Sequence, residues 1–144
     1  MLYYNTNLEF IGATLLDAKT AIKLLSKKDR EFDFPWWLCS PGNYNYLSSS
    51  FVNNDGSVFG YGNFIQFCYH IRPALIINEL GMFKTGDIFS IGKYYFKIIS
   101  PLLAWMYKQD IGADYFDEKS NIYNSSHIKT VVDAWYETLK DEIK

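Results

Sequence analysis

Residues 35–42 read PWWLCSPG, residues 55–58 read DGSV and residues 71–75 read IRPAL. Between residues 36 and 83 only Asp55, Arg72 and Glu79 carry a formal charge, yet eleven of the chain's aromatic residues lie there. A stretch this rich in aromatic residues and this poor in charge is either a core or a surface that binds something.

Composition limits the class of protein. The chain has 144 residues, of which 49% are hydrophobic and 21% charged, and this favours one globular domain over residues 1–144. A net charge of −2 gives no electrostatic footprint for nucleic acid. No apolar run reaches the roughly 18 residues of a membrane span, and residues 1–10 have no secretory pattern, so we expect a cytoplasmic protein.

The first 34 residues predict a strand followed by a helix. Residues 8–16 are mostly apolar and short, as in a strand, and Asp17 is placed to cap a helix N-terminus. The helix would bury Ala18, Ala21, Ile22 and Leu25, which follow one another at helical spacing.

Turn and strand patterns divide the next 45 residues. Residues 36–38 indicate a buried strand, 40–42 a turn and 43–50 a polar, tyrosine-rich loop. Asp55-Gly56 between short apolar runs predicts a hairpin. Residues 60–63 indicate another turn, and 64–77 a long extended segment in which Pro73 marks a bulge or an edge position.

The last third predicts a hairpin, a strand and a helix. Residues 87–91 and 93–99 alternate about Gly92, residues 102–107 indicate one more strand, and 111–124 an irregular loop. A final helix is capped by Ser125 or Ser126, and its apolar stripe comprises Ile128, Val131, Val132, Trp135 and Leu139.

The motifs of the opening stretch resemble a bacterial and phage domain family of unknown function. Its signature is a Trp-Trp-Leu-Arg-Ser-Pro-Gly block, an Asp-Gly-Ser-Val hairpin and a Val-Arg-Pro-Ala-Leu strand. Cys39 stands where the family has arginine, and Ile71 where it has valine. Residues 86–94 are similar to the family's first hairpin, and residues 125–139 to its first helix.

The order of these segments departs from the family, because the hairpin and the helix usually precede the Trp-Trp block. A circular permutation, a fragment of tandem units and a swap between protomers would each explain this order. The family resembles C-type lectin-like domains, whose first and last strands pair, so a permutation needs only a short joining loop. We therefore expect an α+β fold with a twisted, mostly antiparallel sheet and two amphipathic helices. Residues 35–77 and 86–144 would complete the same domain.

Several residues are expected to be structural. Trp36 and Trp37 should face opposite sides of a strand, and Arg72 should pair with a carboxylate or stack on a tryptophan. The remaining structural residues are Asp55, Gly56, Pro73 and Trp135. Cys39 and Cys68 are expected to be reduced and buried, although one disulfide stays possible.

The sequence contains no nucleophile–base pair and no metal-ligand spacing, so we expect a protein that is not an enzyme and has no metal or cofactor. The carboxylates Asp110, Asp114, Asp117 and Glu118 could in principle form a glycosidase-like pair. A solvated loop is the simpler interpretation.

A Tyr/Asn/Ser-rich surface is the main functional candidate, because tyrosine supplies large contact area and Ser and Asn supply adaptable hydrogen bonds. The predicted ligand-binding residues are Tyr44, Asn45, Tyr46, Phe59, Tyr61, Phe64, Gln66 and Tyr69. The predicted partner is a protein; carbohydrate is possible, and self-association through the same aromatic residues is the structural alternative. By analogy, a phage or mobile-element protein could use this surface against a host component.

Overall fold

The computed structural model describes residues 8–143, without the side chain of residue 143; residues 1–7 and 144 of the predicted domain lie outside this range. The fold is α+β, as expected. The strands divide between two five-stranded sheets instead of one.

Sheet A is antiparallel, and its strand order is β1-β6-β9-β8-β7. Sheet B has the order β10-β5-β2-β3-β4, with β2 and β5 parallel. The sheet A strands are β1 (Glu9–Thr14), β6 (Ala74–Glu79), β7 (Ile88–Ile91), β8 (Tyr94–Ser100) and β9 (Leu103–Met106). The sheet B strands are β2 (Trp36–Pro41), β3 (Ser48–Val52), β4 (Val58–Phe64), β5 (Cys68–His70) and β10 (Ala113–Tyr115).

The helices begin at side-chain caps. They are α1 (Ala18–Leu24), α2 (Lys27–Arg30) and α3 (His127–Ile143), and a 3₁₀ turn spans Tyr123–Ser125. Asp17 Oδ1 accepts the Thr20 N–H at 2.7 Å, and Ser126 Oγ accepts the Lys129 N–H at 3.1 Å. Both predicted amphipathic helices are confirmed, but Ile22 is 59% exposed, because the buried side of α1 is the one that carries Ala21 and Leu25.

Adjacent tryptophans on β2 join two parts of the core. Trp36 packs with the residues of α1 and with Trp105 of sheet A, whereas Trp37 packs with Phe116 and Ile128 on the other side. Both rings are fully buried, as the alternation of side chains along a strand predicts.

The helix α3 packs against both sheets. Its first half, with Ile128 and Val132, covers sheet B, and its second half, with Trp135 and Leu139, covers sheet A. The predicted apolar stripe of this helix is therefore confirmed, with Val131 only half-buried.

Three local predictions between residues 43 and 77 are wrong. Residues 48–50 belong to β3 and are buried, because Ser49 and Ser50 hydrogen-bond to the Leu38 and Ser40 carbonyls. Residues 60–63 lie within β4. Residues 64–77 are not one extended segment, since the chain leaves sheet B after β5 and enters sheet A at β6.

Candidate binding surface

Six exposed aromatic side chains lie on and beside β4, and we call them the aromatic surface. Their exposed fractions range from 40% for Phe64 to 66% for Tyr46. The set comprises Tyr44, Tyr46, Phe59, Tyr61, Phe64 and Phe67. Exposed apolar area on this scale is unusual enough in a globular protein to call for an explanation.

An irregular pairing between β3 and β4 brings this surface together. Phe51 pairs with Phe59 and Ser49 with Asn63, so three residues of β4 lie opposite one of β3 and the strand bows outward. The Asn43 and Tyr44 N–H groups donate to the Gly60 and Tyr61 carbonyls, at 3.0 and 3.2 Å. Bulges of this kind redirect side chains, and here Tyr44 is brought beside Tyr61.

Two glycines permit the close approach of these backbones. A Cβ on Gly42 would lie 2.5 Å from the Tyr61 carbonyl oxygen, and a Cβ on Gly62 would lie 2.8 Å from the Ser49 oxygen. Gly62 also has a φ of +92°, which a residue with a side chain rarely adopts. A larger residue at either position would push the 43–46 loop away from β4.

Hydrogen bonds fix the loop that carries Tyr44 and Tyr46. Asn45 Oδ1 accepts the Leu47 N–H at 2.8 Å, which closes a turn. Asn121, only 8% exposed, donates from Nδ2 to the Asn45 and Ser48 carbonyls at 3.2 and 2.9 Å. The loop is therefore held in one conformation before any partner binds.

Ring contacts connect the surface to the core. Tyr44 lies 5.0 Å from Tyr61 between ring centroids, and Phe59 stacks on buried Phe51 at 4.9 Å. Tyr69 contacts Phe51 at 4.9 Å and Phe67 at 6.3 Å. These aromatic pairs restrict the motion of the exposed rings.

The structure separates the predicted binding residues into two groups. Tyr44, Tyr46, Phe59, Tyr61 and Phe64 are exposed on the aromatic surface. Asn45 and Gln66 are exposed as well, and each also makes a hydrogen bond: Asn45 closes the loop turn, and Gln66 donates to the Glu118 carbonyl at 3.2 Å. Only Tyr69 is half-buried, and its hydroxyl accepts from Asn63 Nδ2 at 2.6 Å. Phe67 lies in the same aromatic run but was not among the predicted ligand-binding residues, and Asn121 was not selected from the sequence.

Arg72 is a structural residue, as expected, and it stacks on aromatic rings. Its guanidinium carbon lies 4.2 Å from the Phe32 ring centroid, 4.3 Å from Trp105 and 4.9 Å from Trp36. Nε donates to the Gln109 carbonyl at 3.0 Å. Burial lowers the pKa of Arg72 to about 9, opposed by the nearby charges of Asp110 and Asp29, so the group is still protonated at neutral pH.

Asp55, Gly56 and Pro73, the other structural residues of the signature, shape the backbone at a turn and at the start of a strand. Asp55 Oδ1 accepts the Ser57 N–H at 2.9 Å and Gly56 has a φ of +86°, as the hairpin turn requires. Pro73 is at neither a bulge nor an edge. It directly precedes β6, an interior strand, where its missing N–H costs no ladder bond, and its carbonyl accepts the Met106 N–H at 3.0 Å.

The carboxylates of residues 110–117 hold their own loop. Asp110 contacts His70 Nδ1 at 2.9 Å, and Asp114 contacts His127 Nε2 at 3.1 Å. Asp117 accepts the N–H groups of Lys119, Ser120 and His127 at 3.0 to 3.1 Å. Each of these three carboxylates is therefore engaged in an ion pair or in backbone hydrogen bonds.

The two cysteines differ in environment. Cys39 is half-buried, and its burial, followed by the charge of Asp17, raises the pKa of its thiol to about 12. Cys68 is exposed, so the expectation that both cysteines are buried is wrong for Cys68. Both are free thiols.

A grouped set of metal ligands and a membrane-spanning helix are both absent from the described residues. Within residues 8–143 no three or more His, Cys, Asp or Glu side chains are grouped as a metal site would require. No helix in that range is long and apolar enough to cross a membrane.

Comparison of the chain with protein-family models, curated proteins and solved structures gave no match. The aromatic surface is therefore the basis for assigning a function to this chain.

Proposed function

We propose that this chain is a non-catalytic binding module that recognises another protein through the aromatic surface. The observation that carries the proposal is the set of exposed rings on and beside β4, the outermost strand of sheet B, with the 43–46 loop held by the Asn43 and Tyr44 backbone bonds and by Asn121.

The exposed area favours a protein partner. An aromatic side chain presents about 150–250 Å², and with exposed fractions of 40–66% the six rings expose roughly 500–800 Å² together. One side of a standard protein–protein interface is about 800 Å². A small ligand would cover only part of this surface.

Rigidity and low charge support the same proposal. The segment from Asn43 to Phe67 contains one formal charge, Asp55, at the tip of the β3–β4 hairpin. Association would then depend on aromatic anchors with hydrogen-bonding neighbours, and little conformational entropy would be lost because the loop is already ordered.

The C-type lectin-like and permuted character of the fold is part of this proposal. The strands β6, β9, β8 and β7 alternate in direction. The last residue of β6 and the first residue of β7 therefore lie at the same end of sheet A. The connector of residues 80–87 would bridge three interstrand spacings, about 14 Å, which its residues can span easily. This geometry is compatible with ancestral termini joined by a short loop.

The wider setting follows the same resemblance. We propose a cytoplasmic protein of bacterial or phage origin, related to the family with the Trp-Trp-Leu signature and acting on a host component. Self-association is the second candidate, because an aromatic surface of this size could also be buried against a second copy of the chain. Light scattering separates the two, since a stable dimer that hides Tyr44, Tyr46 and Tyr61 would favour self-assembly.

Replacing Tyr44, Tyr46 and Tyr61 together with serine is expected to leave the melting temperature within a few degrees of the native value. Each of the three side chains is more than 60% exposed in the folded protein, so replacing it removes little buried surface and should change stability little. Capture of the partner by the immobilised protein should fall at least tenfold, because exposed aromatic anchors dominate such interfaces.

A matched control replaces Tyr95, which is 41% exposed on β8 of the other sheet, with serine. This variant should bind as the native protein does. A large fall in the melting temperature of the triple variant would contradict an exposed binding surface, and equal loss of capture by the control would contradict its location.

A further inference from the structure

A groove lies between the edge of sheet A and the helix α3, away from the aromatic surface. Its volume is about 970 Å³, near the upper end of the range for ligand sites. One wall is the strand β1, and another is the face of α3 that carries Lys129, Asp133, Tyr136 and Lys140. Cys39 and Pro41 of β2 and residues 122–124 also line the groove.

The pairing of sheet A determines which backbone groups of β1 face this groove. The Pro73 carbonyl accepts from Met106 and the Ile77 N–H donates to Leu102, so odd-numbered residues of β6 point toward β9. The even-numbered Ala74 and Ile76 therefore bond to Thr14 and Gly12 of β1. The N–H and C=O of Ala13 then point away from β6, and neither is bonded to another described residue.

The residues of this edge are small. A Cβ on Gly12 would meet only the Ile76 side chain, at an ordinary 3.7 Å, so the fold does not require glycine there. Glycine within a strand often marks a position where another backbone approaches closely. Because Ile11 is a bulged residue with no partner on β6, the regular part of the edge is residues 12–14.

The helix wall carries no net charge toward the groove. Lys129 is paired with Asp133 at 2.5 Å, and Lys140 with Glu137 at 3.2 Å. A highly charged ligand would find no unpaired countercharge on this wall. Unpaired main-chain groups beside a neutral wall match an extended, uncharged polypeptide segment.

We propose that this groove binds an extended, uncharged peptide segment as an additional strand on β1. The segment hydrogen-bonds to the N–H and C=O of Ala13, and its alternate side chains lie toward Tyr136 of α3. This site is separate from the aromatic surface, and it does not depend on the function proposed for that surface.

The test uses the acetylated, amidated peptide Ser-Val-Thr-Val-Ser as the probe and ¹⁵N-resolved amide spectra of the whole chain as the readout. At millimolar peptide, the Ala13 amide proton is expected to shift downfield in a saturable way, together with signals of Gly12 and Cys39. Two N-methylated versions provide the control: one is methylated at both valines and the other at the serines and the threonine. Only one of them should lose binding, because alternate residues of a strand face the same neighbour.

Substitutions test the direction of the backbone groups. Ala13→Pro should keep the native melting temperature within a few degrees and lose the peptide-induced shifts. The proline ring replaces an N–H that points away from β6, so no hydrogen bond of sheet A is lost. Thr14→Pro should lower the melting temperature clearly, since its N–H bonds to β6. The triple tyrosine variant should bind the peptide as the native protein does.

Three results of the peptide titrations would overturn the proposal: the absence of saturable shifts in the groove, shifts confined to the aromatic surface, and equal binding of both N-methylated peptides. Concentration-dependent shifts of Ala13 without peptide would also overturn it, because they would assign the edge to a second copy of the chain.

Discussion

Trp135→Ala is expected to lower the free energy of unfolding by about 3–5 kcal/mol. Trp135 is 8% exposed and lies where α3 covers sheet A. Its ring meets Tyr94 edge to face at 5.6 Å and lies 6.2 Å from Phe96. Removing it would leave a cavity among rigid aromatic neighbours, which have little freedom to fill the space.

Urea denaturation measures this effect, and Trp135→Phe is the matched control. The indole N–H of Trp135 is buried and has no hydrogen-bond partner in the described part of the chain, so phenylalanine removes an unsatisfied donor along with some volume. We expect it to cost less than about 1.5 kcal/mol. If Trp135→Ala left the urea midpoint unchanged, α3 would not belong to this core, and a swapped or fragmentary domain would be the better account.

Arg72→Ala is expected to destabilise the protein by about 2–5 kcal/mol. Arg72 is 1% exposed, and its side chain fills the space between Phe32, Trp36 and Trp105. Alanine would remove the aliphatic stem as well as the guanidinium, so both packing and the bond to the Gln109 carbonyl would be lost.

Arg72→Met is the informative comparison, again by urea denaturation. Methionine keeps most of the length of the side chain and removes a buried charge whose burial outweighs the favourable charges of Asp110 and Asp29. We expect its stability to lie within about 1.5 kcal/mol of the native value. If methionine cost as much as alanine, the charge of Arg72 and its bond to the Gln109 carbonyl would carry the stability, and packing of the side chain would not.

Strong local signals in the sequence predicted much of the fold. Asp55-Gly56 and Gly92 identified both hairpins, because each turn needs a glycine at positive φ. The stripe from Ile128 to Leu139 identified α3. Trp36 and Trp37 were correctly assigned to opposite sides of a strand, since side-chain alternation depends only on the backbone.

Other features depend on contacts between distant residues, which a local pattern does not contain. Ser49 and Ser50 look like loop residues, but the carbonyls of β2 satisfy their hydroxyls inside the core. Ile22 fits the helical stripe, yet the buried residues of that stripe are Ala21 and Leu25, and Ile22 lies on its solvent side. The support that Asn121 gives to the 43–46 loop joins residues more than seventy positions apart, so no sequence window includes it.

The aromatic character of the candidate site could be predicted from the sequence, but its geometry could not. Tyrosine-rich composition identified Tyr44, Tyr46 and Tyr61. Their proximity depends on the bow of β4 and on the contact between Gly42 and Gly62, which requires two backbones to approach closely. Tyr69 has the same residue type, but its neighbours Phe51 and Trp37 make it a support for the surface.

Site-specific photo-crosslinking in the native host cell would show which surface of the protein meets its partner. A benzophenone side chain would replace Tyr61 of the aromatic surface in one protein and Tyr95 of sheet A in another. If the aromatic surface binds another protein, position 61 gives one discrete heavier adduct that contains a second protein, and position 95 gives none. The same adducts from both positions, or adducts made only of two copies of this chain, would contradict this binding role of the surface.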